Sequence, residues 1–296
     1  MYTILIFVAT SLTLGLPLIA LNRSPTTVGA VLLLAVMYGI PLAFAVAYIG
    51  VPMSFRRIAK DMNDPRLTSM LDEIAKKAKI KTPKLMVIDS EECNAIACSW
   101  IFGGIVILTS GLVKAHRSGV ISDDEMKGIL AHEIGHLKHR DPLRMAIAFS
   151  LITIVDWFAE VYLSNAKVYY AISREYRKRL YLEEAGAYGF MGAIFLLIGI
   201  LLKIPAKIAS LIAYHHSRMM EFDADAFASS VVDPKVFGMA LVKVEKINEG
   251  LPLEKVKRLP FPDRWILKPR RTFFLDEIMS THPPLEKRLK ALGILN

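Results

Sequence analysis

The residues with the most chemistry in them are His132, Glu133 and His136, in the run "LAHEIGHLKHRD". On an α-helix, positions i and i+4 lie one turn apart on the same face. Two imidazoles placed this way can share one tetrahedral metal ion, and Glu133 projects beside them. A zinc-type ion lowers the pKa of its water, and a neighbouring carboxylate takes the proton as that water adds to a carbonyl. The same five-residue pattern arises by chance in roughly one chain in a hundred of this length, so its surroundings matter. Here it follows an acidic turn, "SDDE", has Ile129, Leu130 and Ile134 to bury, and places Gly135 where another element can come close.

Two histidines need a third partner. A third histidine in the extended form of the motif would require glycine at position 139 and histidine at 142, whereas this chain has His139 and Pro142. A carboxylate from a later helix is the alternative. The run "HHSRMMEFDADAFASS" offers Glu221, Asp223 and Asp225, with Phe222, Ala226 and Phe227 to bury. Glu221 and Asp225 are four apart and share a face, while Asp223 points elsewhere. One of the pair can bind the metal while the other accepts a hydrogen bond from a ligand histidine's free N–H. Spacing alone does not say which does what. His139 is expected to be solvated, and His215 and His216 to lie at an interface.

These side chains must be carried by something. The segment from Asp123 to His139 reads as a helix with an acidic start, ended by Asp141-Pro142. Leu67, Met70, Leu71, Ile74 and Ala78 have helical spacing, and "KLMVID" and "GGIVILTSGLV" read as strands. The larger frame is unlike that of a soluble enzyme: 53% of the 296 residues are hydrophobic, yet 22% are charged. Met1 to Asn22 and Ser24 to Phe55 contain no charged side chain, and each exceeds the twenty or so residues of a spanning helix. They predict a transmembrane hairpin over residues 1–55. A catalytic domain follows over residues 56–296, interrupted at about 142–213 by a second hydrophobic hairpin. There Asp156 and Glu160 break one apolar run, and Ala185 to Leu202 is uncharged and long enough to cross. Halves of one site flank this insert, so it crosses a membrane either not at all or twice. Between its helices lie Arg174, Arg177, Lys178 and Arg179. The net charge of +9 is spread along the chain without an aromatic-interleaved motif, which points to lipid headgroups and away from nucleic acid. Cys93 and Cys98 are expected to be buried, reduced thiols.

Together "AHEIGHLKHRD", "SRMMEFDADAFA" and "STHPPLEKRL" resemble the HtpX heat-shock membrane zinc proteases, a group related to the CAAX prenyl endoproteases. The "NAIA" at Asn94 to Ala97 is similar to that family's motif before its edge strand, and the likeness covers nearly the whole chain. Two positions depart from the pattern: Met220 stands where a second arginine is usual, and Phe222 where a tyrosine is. The resemblance implies an α+β, mostly helical fold with a zincin-like (gluzincin) domain and a small β-sheet. It implies one Zn2+ per chain held by His132, His136 and Glu221, with Glu133 as the base and Asp225 as the supporting acid. It implies polypeptide substrates, misfolded membrane proteins among them. CAAX-type prenyl proteolysis and a zinc-stabilised scaffold or holdase are the rival readings.

Three further features are open at this level. Gly104, Ile105, Val106 and Ile107 are expected in the strand that pairs with an extended substrate, with Asn94 nearby, or else in a plain core strand. His282 can stabilise an oxyanion, or can belong to the cap of a surface helix starting at Pro283 or Pro284. Arg56, Arg57 and Lys60 follow the second helix, whereas Arg23 alone lies in the turn, which keeps the catalytic domain in the cytoplasm of a multi-pass protein.

Overall fold

The structure is a computed structural model that describes residues 51–100, 103–259 and 283–295, with a few isolated positions before residue 51. The N-terminal hairpin expected over residues 1–55 lies almost entirely outside the described residues, as does His282. The chain divides into two compact units, one containing Ile147–Ser210 and the other built from Tyr48–Ala146 and Leu211–Asn296.

The second unit is α+β and mostly helical. In chain order it holds α1 (Val51–Ile58), β1 (Lys60–Asp61), α2 (Pro65–Ala78), β2 (Lys84–Ile88), β3 (Ala95–Trp100), β4 (Gly103–Thr109), α3 (Ser110–Arg117) and α4 (Asp123–His139). Two long helices follow, α5 (Asp141–Lys178) and α6 (Leu182–Val231), and then α7 (Pro234–Asn248), α8 (Leu253–Lys257) and α9 (Leu285–Ala291). Local chemistry sets the ends of the important elements. Asp64 caps α2 by accepting from the amides of Arg66 and Leu67, and Pro65 occupies its first turn. Ser122 and Glu125 close a capping box at the start of α4. α4 ends at Arg140, which takes a left-handed conformation (φ 59°). Asp141 and Pro142 therefore open the next helix instead of merely ending this one. Proline suits a first helical turn, where its missing N–H has no partner to lose.

The sheet has the order β1-β2-β4-β3. β1 pairs antiparallel with β2, β2 parallel with β4, and β4 antiparallel with β3. Gly104, Ile105, Val106 and Ile107 thus lie in an internal strand, which corrects their expected place at a substrate-facing edge. Val106 stands opposite Leu85 on one side and Ala97 on the other. The physical reason is visible in the run itself: every position is apolar, so the strand fills both faces of the sheet. Val106 and Leu108 enter the main core with α2 and α4, whereas Ile105 and Ile107 join Met86 and Cys98 on the other face. Among the described residues, the edge beside β4 is β3, whose Ala95, Ile96 and Ala97 are only half-buried. Asn94 immediately precedes it; its side chain accepts from the Ala95 amide (2.8 Å) and its carbonyl from the Thr109 amide (3.0 Å).

α4 is the central helix. Met126, Leu130, Ala131 and Ile134 are fully enclosed, and Glu125, His132 and Glu133 are buried too. From α2, Leu67, Leu71, Ile74 and Ala78 enter the core as their spacing predicts, while Met70 is partly buried. Two glycines let neighbours approach α4 closely. A Cβ on Gly128 would lie 3.1 Å from the Phe237 ring of α7, and one on Gly135 would lie 3.0 Å from the Ala224 Cα of α6. Cys93 and Cys98 are free and buried, and burial pushes both thiols up to about 11.

α5 and α6 contain 38 and 50 residues, about 57 and 75 Å at 1.5 Å per residue. Both are long and apolar enough to cross a membrane. The uncharged run from Ala185 to Leu202 and the later run that carries Glu221 and Asp225 lie on one helix, in which Pro205 is included.

The close approach at Gly135 yields a test. Gly135→Ala sets a methyl against backbone that cannot swing aside, and should destabilise by about 1–3 kcal/mol. Gly186→Ala, where a Cβ meets nothing within 4 Å, should be neutral or stabilise by up to ~1 kcal/mol. Thermal unfolding in detergent distinguishes them, and equal effects would contradict the packing.

Candidate metal centre

His132 and His136 project from α4 toward the last turns of α6, which carry Glu221 and Asp225. The close contact between Gly135 and Ala224 brings the two helices together here. One atom each from His132, His136 and Glu221 lies within 4.8 Å of the others. The two Nε2 atoms are 3.2 Å apart, His132 Nε2 is 3.6 Å from Glu221 Oε2, and His136 Nε2 is 3.4 Å from Glu221 Oε1. Three ligands at the usual 2.0–2.1 Å from a tetrahedral zinc would be separated by roughly 3.3 Å. The donor triangle therefore has the dimensions that such an ion needs.

The other ring nitrogens explain why the donors face inward. His132 Nδ1 lies 2.9 Å from Asp225 Oδ1, and His136 Nδ1 lies 2.9 Å from Asp141 Oδ2. Carboxylates accept, so each Nδ1 carries the hydrogen and each Nε2 is left with a lone pair. Two lone pairs held 3.2 Å apart repel unless a proton or a cation stands between them. The protein's own charges supply the alternative to a cation: burial disfavours a charged His136, but the hydrogen bonds to Asp141 and Glu221 outweigh it and push the ring up to about 10. A metal would take that proton's place. His, His and carboxylate form a donor set suited to zinc, and the residues fit the ion.

Behind the ligand triangle stands a buried guanidinium. Arg288 of α9 grips Asp225 with two hydrogen bonds, Nε to Oδ2 at 2.8 Å and a terminal nitrogen to Oδ1 at 2.6 Å. Another of its nitrogens lies 3.8 Å from Glu221 Oε2. Burial by itself would raise the Asp225 carboxyl; Arg288 and the His132 ring hold it below the usual range instead. The same ion pair keeps Arg288 protonated against its burial. Glu133 is buried beside His132, close enough for its charge to bear on both His136 and Arg288. Phe237 stacks under His132, with ring centroids 6.0 Å apart.

The structure thus brings His132, His136, Glu221, Glu133 and Asp225 together, and leaves Asp223 exposed as expected. Phe227 is buried, but Ala226 faces outward while Ala224 and Ala228 take the enclosed positions. His215 and His216 are exposed, and His139 is half-buried instead of solvated. Sequence reasoning missed Asp141, Arg288 and Phe237. Arg288 left a trace, as a lone cation between Leu285 and Leu289 on an otherwise apolar helix face. Asp141 left a weaker one, since its proximity to His136 was hidden by its role before a proline.

Comparison with known proteins places these residues in a family. The profile of Peptidase family M48 matches residues 61–294. A protein named Protease HtpX homolog from Methanocaldococcus jannaschii is 31% identical over 237 residues, which is 80% of this chain and 77% of that one. Protease HtpX from Haemophilus influenzae is 27% identical over 304 residues, spanning 99% of both chains.

Removing a direct donor should matter more than removing its support. Glu221→Gln is expected to empty the site on dialysis. Asp225→Asn and Arg288→Met should each weaken metal affinity by about 10–100-fold. Because those two act as one unit, their double variant should fall well short of the summed effect. Metal analysis after dialysis reads all four, and strict additivity would separate Arg288 from the site.

Proposed function

The chain belongs to Peptidase family M48 and is an HtpX-like metalloprotease, and from that premise we propose a membrane-integrated, zinc-dependent endopeptidase. Its substrates would be misfolded or damaged membrane proteins. The observation that carries this reading is the inward-facing triangle of His132, His136 and Glu221, with a buried Glu133 next to it. A structural zinc site usually closes with a fourth protein ligand; a base beside three donors suits catalysis instead.

Zinc, when bound, polarises the scissile carbonyl and brings the pKa of its water toward neutrality. Glu133 is then placed to accept the proton that this water loses as it adds to the carbonyl, and to return it to the departing amine nitrogen. Asp225 and Asp141 fix the histidine tautomers, so both Nε2 lone pairs stay directed at one point. Arg288 keeps Asp225 ionised in its buried position. β3 packs against α4 and presents an open edge among the described residues, so Ala95–Trp100 is the segment suited to pair with an extended substrate backbone. His282 is retained as a candidate oxyanion donor, outside the described residues. The domain boundary near residue 55 and the cytoplasmic placement of the catalytic half follow from the apolar N-terminal runs and the basic residues Arg56, Arg57 and Lys60.

Glu133→Gln separates catalysis from binding. Cleavage of unfolded casein should fall by about 10²–10⁴-fold, while zinc content and thermal stability stay near those of the parent. A chelator should abolish the parent's activity, and added zinc should restore it. A Glu133→Gln protein that still cleaves would falsify the mechanism.

A further inference from the structure

The outer edge of β3 is not open along its whole length. In an antiparallel pair, residues whose N–H and C=O both bond the partner strand alternate with residues whose groups point away from it. Thr109 fixes the phase. Its amide donates to the Asn94 carbonyl (3.0 Å), and the Asn94 amide donates to its hydroxyl oxygen (2.9 Å). With Ile96 opposite Ile107 and Cys98 opposite Ile105, the even-numbered residues bond β4. Cys93, Ala95, Ala97 and Ser99 therefore direct their peptide groups outward, where a substrate strand would lie. The Ala95 amide donates to Asn94 Oδ1 (2.8 Å); beyond it the edge is open among the described residues.

Cys93 is different. Its amide donates to Asn248 Oδ1 (2.8 Å), and its carbonyl accepts from Asn248 Nδ2 (3.0 Å). A side-chain amide carries one acceptor and donors beside it, so Asn248 fills the place of one residue of a pairing strand. It is the last residue of α7, the helix whose Phe237 stacks under His132. Upstream of Cys93 the edge does not continue. The Ser90 carbonyl accepts from the Gly111 amide (2.8 Å) and the Ser110 hydroxyl (2.9 Å), and a Cβ on Gly111 would collide with the Glu91 carbonyl. The connector from β2 thus lies against the start of α3. The catalytic end of β3 is the opposite one. A Cβ on Gly104, which stands opposite Ser99, would lie 2.8 Å from Leu137 Cδ1. Glu133 is one turn before Leu137 on α4, and its charge acts, after burial, to push up the Cys98 thiol. From Cys98 to Cys93 the strand runs about 17 Å.

We propose that Asn248 is the end stop of the substrate cleft: it occupies the outward peptide groups of Cys93, so that an extended chain pairs with Ala97 and Ala95 and no further. On that side of the scissile bond the cleft then holds about five extended residues. Asn248 determines the length of backbone that is read, through hydrogen bonds indifferent to the substrate's side chains. The proposal rests on the pairing of substrate with β3 put forward above. Asn248 is itself exposed, so its truncation leaves no cavity.

The test uses the full chain in detergent, with peptides built around a bond that the parent cleaves in unfolded casein and lengthened residue by residue at each end. In the parent, KM should fall with length and level off at about five residues on one side of that bond. In Asn248→Ala, peptides that extend past this point should gain roughly five- to fiftyfold in kcat/KM, carried by KM, while shorter ones stay within about twofold of the parent. A backbone N-methyl on the substrate residue that reaches Cys93 should remove the gain. Loosening of the strand alone would instead raise KM at every length. The proposal is overturned if the parent's KM shows no levelling on either side, or if Asn248→Ala changes long and short peptides alike. Should the variant fail to accumulate, an N-methyl scan of a long peptide on the parent decides. Methyl groups at alternate residues within the stop should raise KM, and one beyond it that does so on both sides of the bond overturns the proposal. A scan without effect at any position overturns the pairing with β3 itself, and the end stop with it; pairing that shows no stop overturns the end stop alone.

Discussion

Two imidazole nitrogens that need either a proton or a metal cation between them are the interaction on which this structure turns. His132 and His136 meet at Nε2, 3.2 Å apart, in a place where water has little access. Each ring is turned that way because a carboxylate, Asp225 or Asp141, holds its other nitrogen. The same arrangement holds a proton between the rings in the absence of a metal and offers a matched donor set to one. Stability is invested in the orientation of the site, ahead of any ligand.

The surrounding fold can be understood as what keeps that orientation. α4 is enclosed by α2, α7 and the sheet, so its histidines cannot rotate away from α6. Gly135 admits the backbone of α6 at Ala224, which sets Glu221 opposite the rings. Arg288 belongs to a helix far along the chain, yet it clamps Asp225 bidentately. Breaking a buried pair by removing one partner is strongly destabilising, since it leaves an uncompensated charge. The C-terminal helix is thereby coupled to the tautomer of His132 through a single ion pair.

Much of this was legible from residue types and spacing, and the rest was not for identifiable reasons. The helix from Asp123 to His139 is legible in its acidic start and in the apolar residues Ile129, Leu130 and Ile134 that it has to bury. Glu221 and Asp225 declared themselves as a pair four apart, although spacing alone could not say which faced the ligand triangle. The choice between edge and core strand for β4 is not legible, because an apolar run specifies burial and not which neighbours provide it; the order β1-β2-β4-β3 depends on contacts distant in sequence. Lys203 was invisible as a partner for Asp156 and Glu160 because more than forty positions separate them. Arg288 and Asp141 were hidden similarly: each acts through another residue's second nitrogen or oxygen, and no periodicity records that.

The central claim is that two imidazoles and one carboxylate converge on a single zinc. X-ray absorption at the zinc K-edge, on protein purified without added metal, tests it most directly. The account predicts one zinc per chain, with two nitrogen ligands at about 2.0–2.1 Å, oxygen in the remaining positions, and no sulfur. A shell containing sulfur at about 2.3 Å, or a purified and stable protein that takes up no zinc, would contradict it.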